Sequence, residues 1–140
     1  MKLGLIAMSG VRAANPELTA FGLTLPGFVE RSKVIASLPS LSLLTLAALT
    51  PPEIEVEYRE IRDLDEQPES PRDYDLVAIS SLSSQIFDAY RIADLYRERG
   101  VPVVMGGLHV TVRPEEARAH GAVAVVGEGE LTWAQVVEDF

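Results

Sequence analysis

The sequence predicts one doubly wound α/β domain, in which helices cover both faces of a parallel sheet. Three observations carry this prediction. Apolar runs rich in valine and isoleucine recur along the chain without the alternation of a half-exposed strand. Helical patterns separate these runs, and alternating elements of this kind form parallel sheets with right-handed crossovers. The length of 140 residues fits one domain with a substantial apolar core.

Five strands are predicted, four of them buried on both faces. The fifth run, Glu53–Tyr58, alternates strictly between charged and apolar residues, so one face of that strand is expected to contact water. A flavodoxin-like (Rossmann-like) sheet of order 2-1-3-4-5 places its second strand at the edge, and we predict that order. The four buried strands are Leu3–Met8, Leu76–Ile79, Val101–Met105 and Ala122–Val126.

Helices are predicted between these strands. The stretch Ser40–Leu49 is almost wholly apolar and precedes two prolines, so it is expected to form a buried helix. From Ser84 to Arg99, apolar residues recur at helical spacing and predict a stripe that faces the sheet. Pro114 begins a short helix whose first turn holds two glutamates. A last helix from about Glu130 reaches Phe140 without a stop signal, which predicts a domain that originally continued.

Composition excludes several classes of function. A net charge of −9 argues against nucleic-acid binding, which relies on a basic face. The chain has no cysteine, so it cannot form a disulfide, a thiolate metal site or a cysteine-bound iron–sulfur cluster. The apolar stretch Val34–Leu49 is interrupted by Pro39 and several serines, so no membrane span is predicted. The expected location is the cytoplasm.

A ligand in such a sheet lies beyond the carboxyl ends of the strands, near the switch point between strands one and three. Strand one is followed by Ser9 and Gly10, which open a long loop that ends near Leu38. Loops of this length in compact domains are usually functional or disordered, and this one is too apolar for disorder. It is expected either to fold over a ligand or to pack against another domain.

Strand three ends in a serine-rich segment, and strand four ends in two glycines. One of Ser83 and Ser84 is expected to cap the next helix, whereas Ser80 and Ser81 lie where hydroxyls could meet a polar ligand. The pair Gly106-Gly107 either makes a tight turn or leaves room for a bulky ligand to touch backbone. The neighbouring His109 is either a packing or capping residue or a ligand contact.

Strand five ends in Gly127-Glu128-Gly129-Glu130. A carboxylate here could accept hydrogen bonds from sugar hydroxyls or amides, or Glu130 could simply favour the next helix terminus. The glycine fingerprint of dinucleotide sites, the P-loop and a Ser–His–Asp arrangement are all missing from the sequence. No complete catalytic apparatus is therefore predicted.

Together these segments resemble the cobalamin-binding domain at the N-terminus of cobalamin-dependent radical SAM enzymes. The matching segments are Ser80–Leu82, Val103–Thr111, Pro114–Glu116 and Val125–Glu130. The resemblance implies that Ser80 and Leu82 form a serine-x-leucine motif beside the nucleotide tail of cobalamin. It also implies that Gly106 and Gly107 let the tail lie against the sheet, with the turn from Gly127 completing the pocket rim.

Two departures from related families limit the prediction. Cobalamin domains of mutases carry Asp-x-His-x-x-Gly after strand one, but the segment Ser9–Asn15 holds no histidine. The resemblance thus implies that no histidine of this loop ligates cobalt. Without cysteines, the iron–sulfur cluster and S-adenosylmethionine would belong to a downstream radical SAM domain, acting in cis or in trans. This chain is predicted to be the N-terminal cobalamin-binding module of a methyltransferase that is not catalytic alone.

The predicted cofactor-binding residues follow strands one, three, four and five, and no catalytic or metal-ligating residue is predicted. They are Ser9, Gly10, Ser80, Ser81, Leu82, Gly106, Gly107, Leu108, His109, Gly127, Glu128 and Gly129. The alternatives are a docking scaffold of the same fold that binds no cobalamin, and a cobalamin sensor module. Neither a nucleic-acid nor a membrane partner is expected.

Overall fold

The computed structural model describes residues 1–8, 39–61, 64 and 71–140. In these ranges the strands are β1 (Lys2–Met8), β2 (Glu55–Ile61), β3 (Leu76–Ser80), β4 (Val103–Gly106) and β5 (Val123–Ala124). The helices are α1 (Leu41–Leu49), α2 (Ile86–Arg97), α3 (Leu108–Val112), α4 (Pro114–Ala119) and α5 (Trp133–Asp139). Two 3₁₀ turns, Ser83–Gln85 and Gly129–Leu131, precede α2 and α5.

The strands form one parallel sheet of order β2-β1-β3-β4-β5, which confirms the predicted order and fold class. β1 pairs along its whole length with β2, from Lys2 opposite Glu55 to Met8 opposite Ile61. On its other side β1 pairs with β3, so the carboxyl ends of these strands lie side by side. The alternating strand β2 is at the edge, as its sequence predicts.

Apolar side chains cover both faces of the sheet. Alternate residues of β1 point to opposite faces, so that Leu3 and Leu5 belong to one core and Ile6 to the other. The first core includes Leu43 from α1 and Trp133 from α5. The second core is built with α2, whose predicted stripe is buried as expected: Ile86, Ala89, Tyr90, Ala93 and Tyr96.

The predicted burial of helix α1 and the predicted length of strand β5 were wrong in part. Helix α1 forms where expected, but among its residues only Leu43 is buried, whereas Leu41 is 79% exposed. A helix that is apolar on all sides carries no pattern to show which side meets the sheet. Strand β5 is shorter than the predicted Ala122–Val126, because it pairs with only Val104 and Met105 of β4.

The predicted serine cap of α2 was also wrong. The chain first makes the 3₁₀ turn Ser83–Gln85, so the residue at the N-cap position of α2 is Gln85. Neither helical start has a side-chain cap hydrogen bond. The additional turn moves both serines out of capping range and carries Gln85 inward, with consequences for the site.

Candidate ligand-binding site

A cavity of about 630 Å³ lies at the carboxyl ends of the strands, within the size range of small-molecule sites. Its apolar lining comes from α1, the sheet and α5, and includes Leu43, Leu46, Ala78, Val104, Val125 and Trp133. Its polar lining includes Ser40, Ser42, Ser80, Gln85, Thr111, Glu128 and Glu130. The cavity therefore combines a mostly apolar wall with a few polar groups, as small-molecule sites usually do.

Helix α1 places two serines beside the serine at the end of β3. Ser40 is the N-cap of α1, and its backbone N–H donates to the Tyr58 hydroxyl at 2.8 Å. The hydroxyl of Ser42 lies 3.0 Å from that of Ser40 and 3.5 Å from that of Ser80. The longer distance indicates a weak bond. These three hydroxyls form a polar row along the cavity, of which the sequence predicted only Ser80.

The other predicted residues after β3 have different surroundings. Ser81 is buried, and its hydroxyl donates to the carbonyl oxygen of Leu82 at 2.9 Å. The side chain of Leu82 lines the cavity and is half-exposed. Ser80 and Leu82 thus present side chains to the cavity, whereas the Ser81 hydroxyl is already engaged within the loop.

Gly106, which ends β4, and Gly107, which follows it, differ in their backbone conformation and in the space around them. Gly107 has φ +104°, and a Cβ there would lie 2.9 Å from the carbonyl oxygen of Ser81. A Cβ on Gly106 would meet only Val125, at 3.9 Å, which is ordinary contact. Gly107 is therefore needed by the fold itself. Gly106 can carry a side chain, so its lack of one keeps space in the cavity.

Thr111, in the first turns after the glycine pair, joins two cavity loops. Its hydroxyl donates to the carbonyl oxygen of Gly107 at 3.0 Å and accepts from the backbone N–H of Gly127 at 3.1 Å. The second bond holds the turn that follows β5, where Gly127 has φ +82°. A threonine at this position of the motif thus links the two glycine segments that line the cavity.

The variant Thr111→Val, which has the same shape but no hydroxyl, is expected to loosen the 127–130 turn. Losing these hydrogen bonds should reduce the free energy of unfolding by about 1 kcal/mol. Hydrogen–deuterium exchange of amides 127–130 should accelerate, since their opening becomes easier. Thr111→Ser keeps the hydroxyl and is the matched control. Equal exchange in all three proteins would show that the bridge does not hold the turn.

His109 does not line the cavity. Its Nδ1 lies 3.1 Å from the Ser83 hydroxyl, and its Nε2 lies 3.2 Å from Glu116 Oε2. Glu116 also accepts from the Tyr90 hydroxyl and pairs with Arg113. The hydrogen bond from His109 lowers the pKa of the Glu116 carboxyl below its usual value. His109 thereby connects the 3₁₀ turn after β3 to α4.

The glutamates of the Gly127–Glu130 turn lie at the rim. Both Glu128 and Glu130 line the cavity and are exposed to solvent. Gly129, between them, faces the cavity wall, since a Cβ there would lie 3.7 Å from Leu46. The turn thus closes one side of the opening and adds two negative charges there.

Two buried residues of the wall were missed by sequence reasoning. Trp133 is 2% exposed, and its indole N–H donates to the Thr50 hydroxyl at 2.9 Å, which ties α5 to the end of α1. Gln85 is 4% exposed, and its side-chain Oε1 and Nε2 have no hydrogen-bond partner among the described residues. Nothing local in the sequence distinguishes these positions, because their location depends on how distant elements pack.

Most of the predicted binding residues come together here. Those that line the cavity are Ser80, Ser81, Leu82, Gly106, Gly107, Leu108, Gly127, Glu128 and Gly129. Ser9 and Gly10 lie outside the described residues. In the described part of the chain, no three histidine, aspartate or glutamate side chains are grouped as metal ligands. No helix in that part is long and apolar enough to span a membrane.

Comparison with known proteins adds a family and several relatives. The B12-binding domain family matches residues 33–137. Bacteriochlorophyllide d C-8(2)-methyltransferase and C-12(1)-methyltransferase of Chlorobaculum tepidum are 39% and 34% identical to this chain, each over 99 residues. An uncharacterized methyltransferase of Pyrococcus horikoshii is 43% identical over 72 residues. These matches cover 71%, 71% and 47% of this chain, but only 22%, 22% and 16% of the relatives.

Proposed function

This chain belongs to the B12-binding domain family, and from that premise we propose that it is the cobalamin-binding module of a radical SAM methyltransferase. Its ligand is cobalamin. The observation that carries the proposal is the cavity at the carboxyl ends of β3 and β4, where Ser80, Leu82 and Gly106 meet. A docking scaffold that binds no ligand does not require an open cavity at this position.

The cavity's residues fit the nucleotide tail of cobalamin, which consists of an aromatic base, a ribose and a phosphate. The apolar wall of Leu43, Val104 and Trp133 suits the flat base. The hydroxyls of Ser42 and Ser80 suit the polar sugar and phosphate. The amide of Gln85, which has no partner among the described residues, adds a buried donor and a buried acceptor.

In this proposal, the chain binds and orients the cofactor and leaves the chemistry to it. Bound cobalamin supplies a cobalt centre that can carry a methyl group. Gly106 leaves room at the end of β4, and the apolar wall excludes water from the buried part of the ligand. The turn from Gly127 to Glu130, held by Thr111, closes one side of the opening.

We further propose that no histidine of this chain ligates cobalt. The sequence contains two histidines, His109 and His120, and neither lines the cavity. His120 stacks on the Tyr90 ring at 4.2 Å and bonds to Asp94 Oδ2 at 2.9 Å. His109 is held by protein partners at both ring nitrogens. The sequence of residues 9–38, which follow β1, contains no histidine.

The methyltransferase assignment is supported by the names of the relatives, two of which methylate bacteriochlorophyllide d. This chain spans about a fifth of their length, so the catalytic part of such a protein would lie elsewhere. With no cysteine here, an iron–sulfur cluster and S-adenosylmethionine would be held by a radical SAM domain, in cis or in trans. That domain is the proposed partner.

The test is retention of the cofactor by the purified chain. After mixing with hydroxocobalamin and desalting, the protein fraction should remain coloured, with an absorption spectrum shifted from that of free hydroxocobalamin. Serum albumin treated in the same way controls for nonspecific carry-over. A colourless chain that is nonetheless folded would contradict the proposal and favour the scaffold alternative.

A further inference from the structure

The side chain of Gln85 is buried beside the cavity without the hydrogen bonds that burial normally demands. It is 4% exposed and lines the cavity, and neither Oε1 nor Nε2 has a partner among the described residues. Buried polar side-chain atoms in native proteins are almost always paired, so an exception calls for an explanation. A carboxamide offers two donors and one acceptor, and none of these groups is bonded to a described residue.

The backbone holds Gln85 in this position. Gln85 ends the 3₁₀ turn that begins at Ser83, and its N–H donates to the carbonyl oxygen of Leu82 at 3.1 Å. The next residue, Ile86, is buried in the core at the start of α2. The turn therefore fixes Gln85 between the cavity-lining Leu82 and the core residue Ile86, at a position where Gln85 itself lines the cavity.

We propose that Gln85 is a recognition residue for the nucleotide tail of cobalamin, with its carboxamide hydrogen-bonded to polar atoms of the buried tail. The inference rests on the proposed function. The tail offers matching groups, because its ribose hydroxyls both donate and accept and its other polar atoms accept. In the ligand-free chain, the unpaired buried amide costs free energy. A ligand that hydrogen-bonds to the amide removes this cost and therefore binds in preference to one that cannot.

This role predicts effects of opposite sign on the stability of the ligand-free chain and on affinity. Gln85→Met keeps the length of the side chain but removes its polar atoms. The ligand-free variant should unfold at a higher temperature than the wild type, because an unpaired buried amide is gone. Its dissociation constant for hydroxocobalamin should increase about tenfold, the equivalent of one to two lost hydrogen bonds. A residue with a purely structural role would lower the unfolding temperature.

Binding of cobinamide, which lacks the nucleotide tail, identifies the part of the ligand that Gln85 contacts. The variant should bind cobinamide as the wild type does, because the lost contact is with the tail. Gln135→Met is the matched control. Gln135 is exposed on α5, and its amide Nε2 donates to Asp139 at 2.8 Å, away from the cavity. This control should bind both corrinoids like the wild type.

Three results would overturn the inference. Equal affinity of Gln85→Met and wild type for hydroxocobalamin would show that the amide does not contact the ligand. An equal loss of affinity for cobinamide would assign the contact to the corrin ring instead of the tail. A lower unfolding temperature would show that the amide has a structural role. A wild-type chain that binds neither corrinoid would overturn the proposed function itself, which is a distinguishable outcome.

Discussion

Replacing Gly106 with valine is expected to abolish cobalamin retention and leave the fold intact. Gly106 lies at the end of β4 and lines the cavity, and a Cβ there would meet only Val125, at 3.9 Å. The protein therefore accommodates a side chain at this position, and valine suits a strand. The side chain would occupy space that the ligand needs. We expect the dissociation constant to increase at least about 100-fold, or about 2.7 kcal/mol of binding free energy.

The measurement is the dissociation constant for hydroxocobalamin, together with the unfolding temperature of the ligand-free chain. Gly106→Ala should give an intermediate loss of affinity, because its side chain is smaller. Ala119→Val, on the exposed end of α4, adds the same kind of bulk away from the cavity and should change nothing. Tight binding by Gly106→Val would place the ligand elsewhere on the chain.

Replacing the neighbouring Gly107 is expected to destabilise the chain instead. Its backbone has φ +104°, and a Cβ would lie 2.9 Å from the carbonyl oxygen of Ser81 and 3.4 Å from the Ser80 hydroxyl. For Gly107→Ala, the backbone conformation alone should cost about 1–3 kcal/mol. The close approach to a carbonyl oxygen adds to that cost. A protein with a free energy of unfolding of about 5–15 kcal/mol would lose a large part of its stability.

Thermal and urea unfolding of the ligand-free chain measure this effect. The unfolding temperature of Gly107→Ala should fall by several degrees, at roughly 2–4 °C per kcal/mol. Gly106→Ala is the matched control, since it adds the same methyl group one residue earlier and should unfold like the wild type. If the two alanine variants unfolded alike, the separate roles assigned to the glycines would be wrong.

The contrast between the glycines shows what a sequence motif leaves undetermined. Two adjacent glycines at a strand end predict a tight turn or a close ligand, and both predictions are made for the pair. The structure assigns the tight turn to Gly107, which has a positive φ and lies close to Ser81. Gly106 has neither constraint. This difference depends on the backbone dihedral angles of the two glycines and on the position of Ser81, which follows β3. The glycine motif alone predicts neither.

The fold itself was predictable because burial leaves a pattern in the sequence. The buried strands are continuous apolar runs, and the segment that begins the edge strand β2 alternates between glutamate and apolar residues. The stripe of α2 predicted its buried face for the same reason. Helix α1 lacked any such contrast, so its exposed leucines, Leu41 among them, were predicted to be buried.

The cavity was predictable only where its residues follow strand ends. Ser80 ends β3 and Leu82 follows it closely, and the topology places the carboxyl ends of the strands at the ligand site. The opposite wall comes from Leu43 on α1 and Trp133 on α5. These residues pack together on one face of the sheet, and no local sequence pattern predicts that contact. Gln85 was missed because its burial depends on a 3₁₀ turn where the sequence favoured a serine cap.

The chain's single tryptophan can report directly whether cobalamin enters this cavity. Trp133 is buried in the cavity wall, so its emission should be quenched by a corrinoid bound beside it. Titration with hydroxocobalamin, corrected for absorption with free tryptophan, should give quenching that saturates near one equivalent in the wild type and is lost in Gly106→Val. Quenching that never saturates, or that is the same in Gly106→Val, would show that cobalamin does not bind in this cavity.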